Sequence, residues 1–102
     1  MEIHNHNLNI HYSMPKELWE KLGQLYSDMP HWKGFIDGAP RWYDCEEKLI
    51  VASVEPSGLQ FYSELPQEEW YSWFELFKLK ASEILGYEVG EPEDGFEFHF
   101  YE

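Results

Sequence analysis

Nine acidic residues in three groups are the part of this chain whose spacing bears most directly on chemistry: Asp44, Glu46 and Glu47; Glu64, Glu68 and Glu69; and Glu91, Glu93 and Asp94. Paired carboxylates are the tools of general acid–base catalysis and of glycoside hydrolysis, and Glu64 with Glu97 is a pair that a sheet could bring together. Such pairs carry little weight here, because 20 of 102 residues are Asp or Glu and any fold would juxtapose some of them. No Gly-rich phosphate loop, Gly-x-Ser-x-Gly elbow, Cys-x-x-Cys or Cys–His pairing accompanies them. The chain therefore reads as a non-enzyme without a cofactor. A binding surface is the better use for the same carboxylates, which can pair with the Lys and Arg that another protein uses to hold phosphate. Twelve acids fall between Glu55 and Glu102, where Lys78 and Lys80 are the only Lys or Arg. Some also have local work: Glu68 and Glu69 suit the positive end of a helix dipole.

Aromatic residues supply the second constellation. Trp32, Phe35, Trp42 and Tyr43 lie between Met29 and Glu47 among Pro30, Gly34, Gly38 and Pro40, with Arg41 beside Trp42. A long irregular segment in a small domain is often functional, and Trp, Tyr and Arg dominate interface energetics. Trp32, Trp42 and Tyr43 are accordingly expected to meet a partner, unless they fold back as a satellite of the core. His4-x-His6 puts two imidazoles on one face of a strand. Without a third ligand at a fixed spacing they read as surface strand residues rather than a metal site, and His11, His31 and His99 are isolated.

The formal net charge of −13 excludes direct binding to nucleic acid or to an anionic membrane, and makes a basic protein the expected partner of a chain that is monomeric when free. Cys45 is the single cysteine, so no disulfide can form within the chain and the cytoplasm is the expected location. The N-terminus lacks a positively charged leader, and no apolar run approaches the ~20 residues that span a bilayer.

The elements that must position these residues make one domain over 1–102, since halves of about 50 residues would sit near the lower limit for a core. Ile3 to Tyr12 alternates as a first strand, with Leu8, Ile10 and Tyr12 on one face. Ser13 is placed to cap a helix with Pro15 in its first turn and a stripe of Leu18, Leu22, Leu25 and Met29, ending near Asp28. Regular structure then breaks until about Tyr43, with an optional strand from Arg41 to Cys45. Lys48 to Glu55 and Leu59 to Glu64 form a hairpin around Pro56-Ser57-Gly58. A second helix opens at Pro66, buries Trp70, Trp73, Phe74, Phe77, Ala81, Ile84 and Leu85, and stops at Gly86. Phe96 to Tyr101 alternates as a last strand. The expected fold is α+β, in the order β-α-β-β-α-β: two helices on one face of a mainly antiparallel sheet of four to five strands, either ferredoxin-like or built on a three-strand meander.

Leu65-Pro66-Gln67-Glu68-Glu69-Trp70, Leu85-Gly86-Tyr87 and Gly90-Glu91-Pro92-Glu93-Asp94-Gly95-Phe96, in a small, acidic, aromatic-rich α+β chain, resemble the cytosolic immunity proteins of bacterial polymorphic-toxin and contact-dependent inhibition systems. The resemblance is of type rather than of motif. It implies binding and neutralisation of a cognate toxin, commonly a basic nuclease, with no catalytic residue. The charge leaves a second reading open, an acidic nucleic-acid mimic or regulatory adaptor, phage-borne, that occupies the DNA groove of a host enzyme.

Overall fold

A computed structural model describes residues 2–45 and 47–100, so Glu46 and the end of the expected last strand at Tyr101 lie outside the described residues. The elements are β1 (Glu2–Leu8), α1 (Lys16–Asp28), β2 (Trp32–Ile36), β3 (Ala39–Cys45), β4 (Lys48–Glu55), β5 (Gly58–Leu65), α2 (Gln67–Leu85) and a single 3-10 turn at Pro92–Asp94. The five strands form one sheet in the order β1-β5-β4-β3-β2, antiparallel at every pairing.

Strand alternation assigns the two faces. Leu59, Phe61 and Ser63 of β5 stand opposite Leu8, His6 and His4 of β1 on one side and Val54, Ala52 and Ile50 of β4 on the other. Both helices cover this face. The Phe61 ring meets Trp73 at 5.8 Å, Phe74 at 5.6 Å and Phe77 at 5.0 Å between centroids, while Trp42 of β3 meets Tyr26 of α1 edge-on at 5.4 Å and Trp73 at 4.8 Å. Such pairs add roughly 0.5–1.5 kcal/mol each beyond their buried area, which makes this aromatic layer the main tie between helices and sheet. The other face carries Asn5, Asn7, Arg41, Leu49, Val51, Gln60, Tyr62 and Glu64, and among the described residues no helix packs on it.

The α+β class, the central hairpin and the α2 face agree with the sequence reading, and Trp70, Trp73, Phe74, Phe77 and Ala81 are buried as expected. The strand inventory does not agree. The segment read as irregular from Pro30 to Tyr43 is a hairpin, β2 and β3, closed by Asp37 (φ 54°) and Gly38 (φ 81°) between the partners Ile36 and Ala39. Positive φ at both central residues is a type I′ turn, for which Asp-Gly is a preferred pair. The meander therefore has four strands, β2 to β5, with β1 returning beside β5, and the ferredoxin-like alternative is corrected.

The expected last strand is also corrected. Phe96 to Phe100 pairs with no strand; its alternation reflects one-sided packing, with the Phe98 ring against Gly58 and the Phe96 ring against Gly90. Gly58 permits a close approach: a Cβ there would fall 2.3 Å from the Leu8 carbonyl oxygen. Strand β1 stops at Leu8 rather than Tyr12, which is 58% exposed. Ser13 does not cap α1. Its hydroxyl and N–H both engage His11 Nδ1, and Pro15 takes the cap position, its carbonyl accepting from the N–H groups of Leu18 and Trp19.

Asn9 makes most of the hydrogen bonds that hold the C-terminal segment, beside a Ser82 hydroxyl that accepts the Val89 N–H and the His6–Glu91 contact. Asn9, 1% exposed, donates from Nδ2 to the Glu88 and Glu97 carbonyls, while its Oδ1 accepts the Gly90 N–H. Its backbone N–H donates to the Gly90 carbonyl and its own carbonyl accepts the Tyr87 hydroxyl. Every one of these bonds runs to residues 87–97, so Asn9 clasps that segment to the end of β1.

Candidate protein-binding groove

Two neighbouring strands each carry an extra residue at the same end of the sheet. The β2–β3 register slips between Trp32 and Gly34, and the β3–β4 register slips between Trp42 and Cys45. A bulge of this kind bends its strand and re-aims the side chains beside it. Here three bulky or charged residues take left-handed backbone: His31 and Tyr43 at φ 68°, and Asp44 at φ 40°. Such conformations cost of order 1–3 kcal/mol each and persist only where the surroundings impose them. The arrangement imposes a stack. The Tyr43 N–H donates to the His31 carbonyl at 2.8 Å, and the two rings lie parallel with centroids 4.0 Å apart.

The stack forms one wall of a groove of about 370 Å³ whose opposite wall is the first turns of α2. Trp73, Leu76 and Pro30 make an apolar floor, with the Trp73 indole N–H donating to the Pro30 carbonyl at 3.1 Å. Glu68 and Glu69 form the rim. Lys48 of β4 donates to both carboxylate oxygens of Glu69, at 2.9 and 3.1 Å, and its Nζ lies 5.8 Å from the Tyr43 ring centroid. The hydrogen bond to Glu69 holds the Lys48 ammonium above its ordinary pKa. Burial pushes the Tyr43 phenol up, Glu69 adds to the rise and Lys48 opposes it. Glu68 stands at the mouth with no ion-pair partner among the described residues, and Asp44 stands on the bulge with one oxygen 3.4 Å from Arg41 Nη1.

The expected site residues divide among three places. Tyr43, Glu68 and Glu69 line the groove, Asp44 follows Tyr43 on the bulge without lining it, and Glu47 lies exposed in the β3–β4 turn. Glu64 stands on the open sheet face, where it accepts the Tyr62 hydroxyl at 2.9 Å. Glu91, Glu93 and Asp94 lie beside β1, three strand spacings or roughly 14 Å across the sheet from β3. The described acids therefore do not share one surface. Trp42 is corrected as well: it is fully buried, its indole N–H donating to the Tyr26 carbonyl at 2.9 Å, so it supports the groove wall from beneath and meets no partner. Trp32 is half-buried between Tyr26, Phe35 and Trp42.

Sequence reasoning passed over His31, Lys48 and Trp73 as site residues. Trp73 was legible only as core, and the bulges that bring His31 to Tyr43 depend on register. His4 and His6 are corrected from surface strand residues: they lie on the helix-facing side of β1, their rings stacked on Trp70 at 5.6 and 5.5 Å. Among the described residues no three His, Cys, Asp or Glu side chains converge as a metal ion would need, and no helix is long and apolar enough to cross a membrane. Comparison with known proteins finds no matching family model, no similar curated protein and no matching solved structure.

Proposed function

We propose that this chain is a stoichiometric binding protein of the immunity type, which captures a basic protein partner, a toxin domain of nuclease character, in the groove between the His31–Tyr43 stack and the start of α2. The observation that carries the reading is the acidic rim over an aromatic floor: Glu68 and Glu69 above Trp73, Leu76 and Tyr43. A Lys or Arg stem lies well on an apolar surface while its head reaches a carboxylate, and guanidinium groups also stack on rings. The surplus of negative charge supports the same reading, because it steers a cationic partner toward the surface before contact.

Partner capture at graded salt, followed by association kinetics with the captured protein, tests this. Reversing both rim charges, Glu68→Lys with Glu69→Lys, is expected to slow association at least about tenfold at low salt and to flatten its salt dependence, with a smaller change in dissociation. An identified basic partner that binds the double variant as fast as the parent chain rules out the groove.

A further inference from the structure

Helix α1 and the sheet do not close on each other along their whole length. Between α1 and the tips of the β2–β3 and β4–β5 hairpins lies a slot of about 390 Å³, walled by Trp19, Gly23 and Tyr26 and floored by Pro40 and Ala52. Trp19, Gly23 and Tyr26 recur at i, i+4 and i+7 and so share one face of the helix. The gap follows from side-chain size. Pro40 and Ala52 are short residues on the helix-facing side of β3 and β4, and Gly23 across from them contributes no side chain. A Cβ at Gly23 would meet nothing within 4 Å, so packing does not require glycine there. Glycine inside a helix is destabilising relative to alanine, and in this uncrowded place its effect is to keep the slot open.

Two properties of the lining define what fits. The chain has 20 acidic residues and seven Lys or Arg, yet none of these lines the slot, and neither does any His. Phe35 and Val54 stand at its border, 60% and 49% exposed, as apolar surface whose removal from water is favourable. The occupant is therefore apolar and uncharged. The second property is the Tyr26 phenol. Tyr26 is 6% exposed, and its ring lies 5.4 Å from that of Trp42 and 6.1 Å from that of Phe77, which fixes it in place. Its hydroxyl has no hydrogen-bond partner among the described residues and is not sealed from solvent, so a molecule in the slot can reach it. A tyrosine this deep ordinarily pairs its hydroxyl. Burial raises the phenol pKa, so at neutral pH the group stays protonated and donates.

We propose that this slot binds a small, uncharged, largely apolar molecule with one carbonyl-type oxygen, which accepts the Tyr26 hydroxyl hydrogen while the body of the molecule lies over Pro40 and Ala52. The volume falls in the lower part of the range of small-molecule sites, about 300–1,000 Å³. The slot shares no lining residue with the groove beside α2, and the inference does not rest on the groove's role.

Acetophenone, ethylbenzene and benzoate share a ring and differ in an acceptor and a charge. Each is titrated while NMR follows the Ala52 and Val54 methyls and the Trp19 indole, with the Trp73 indole as the control. Saturable shifts confined to the slot signals are expected, with half-saturation by acetophenone at about 0.1–3 mM, as befits so small a ligand. Ethylbenzene is expected to bind about two- to tenfold more weakly, the difference one hydrogen bond makes, and benzoate at least about tenfold more weakly than acetophenone. Tyr26→Phe is expected to abolish the preference for acetophenone over ethylbenzene while the melting temperature at neutral pH holds, since no hydrogen bond of the described residues is lost. Equal binding of these two probes to the parent chain would overturn the proposal, as would equal drifts at the Trp73 indole, which would show only a general affinity for apolar surface. Gly23→Leu fills the slot, and is expected to weaken acetophenone at least about tenfold while the melting temperature holds or rises. Unchanged acetophenone binding by the folded Gly23→Leu chain would place the probe elsewhere and sink the site. Shifts of the same signals on raising the protein concentration without a probe would mean that a second copy covers the slot, and would overturn the proposal too.

Discussion

The two acidic edges of this sheet are built from the same residue type on opposite plans. At the β2–β3 edge the carboxylates stand over rings, and cations already answer some of them: Lys48 holds Glu69 and Arg41 reaches Asp44. At the β1 edge Glu91 and Glu93 surround a polar hollow with amides and an imidazole. The first edge is shaped by bulges that force His31 and Tyr43 into left-handed backbone, and the second by an extended segment that pairs with no strand among the described residues and is held mainly by one asparagine. Negative charge alone thus says little about what a surface recognises. What lies beneath the carboxylates differs between the edges: an aromatic floor at one, a hollow lined by amide side chains and an imidazole at the other.

If the edges are independent, damage to one should leave the other intact. The largest effect is expected from Asn9→Leu, which keeps the size of the side chain and removes three hydrogen bonds to residues 88–97. A loss of about 3 kcal/mol of stability is expected from the unpaired groups left behind, read as a fall in the urea midpoint. Protease sensitivity should rise around residues 87–97 while the Trp73 indole resonance stays in place; a moved indole signal would merge the two edges into one cooperative unit.

A smaller effect separates them by pH. Burial pushes the Tyr26 phenol far above its ordinary value, and Tyr26 packs against Trp42 and Trp32 beneath the groove edge. A phenol whose folded pKa is raised contributes stability that is complete below its unfolded value of about 10 and is lost as pH rises beyond it. Tyr26→Phe should therefore flatten the alkaline fall in stability above about pH 10, measured as urea midpoints against pH. An unchanged slope would mean that Tyr26 ionises without the fold giving way.

The smallest effect tests the rim. Lys48→Met removes the partner of Glu69 at a solvent-exposed site, where ion pairs add little to stability, so the thermal midpoint should barely move. The Tyr43 phenol should titrate at a higher pH than in the parent chain, because the one neighbour that lowers its pKa is gone. A lower Tyr43 midpoint would show that Lys48 does not face the ring in solution.

Periodicity made much of this architecture readable. The α2 face was legible because Trp70, Trp73, Phe74, Phe77 and Ala81 recur at helical spacing, and the central hairpin because Pro56-Ser57-Gly58 separates two apolar runs. The β2–β3 hairpin was equally available in Asp37-Gly38. It was hidden by Gly34 and Pro40, which look like breakers but sit at a bulge and near the start of a strand. Phe96, Phe98 and Phe100 misled for another reason: alternation reports that one side of an extended segment is packed, and says nothing about whether its backbone has a strand to pair with. Asn9 had no signal at all. Between Leu8 and Ile10 it looks like the solvent side of a strand, and its burial depends wholly on a segment about 80 residues later. Of the site, the acids were legible as a class, but their division among three surfaces depends on sheet order, which local sequence does not encode.

The seat of β1 has a consequence for the order of folding. Strands β2 to β5 join neighbours in sequence through short turns, so they can assemble from local contacts as soon as they are made. Strand β1 is made before the other four strands, yet its register partners run from Leu59 to Leu65, and Asn9 then needs residues 87–97. Closing loops of this length is entropically slow compared with hairpin formation. The earliest-made strand of the sheet is thus the last to pair, and docking of residues 87–97 onto Asn9 follows it.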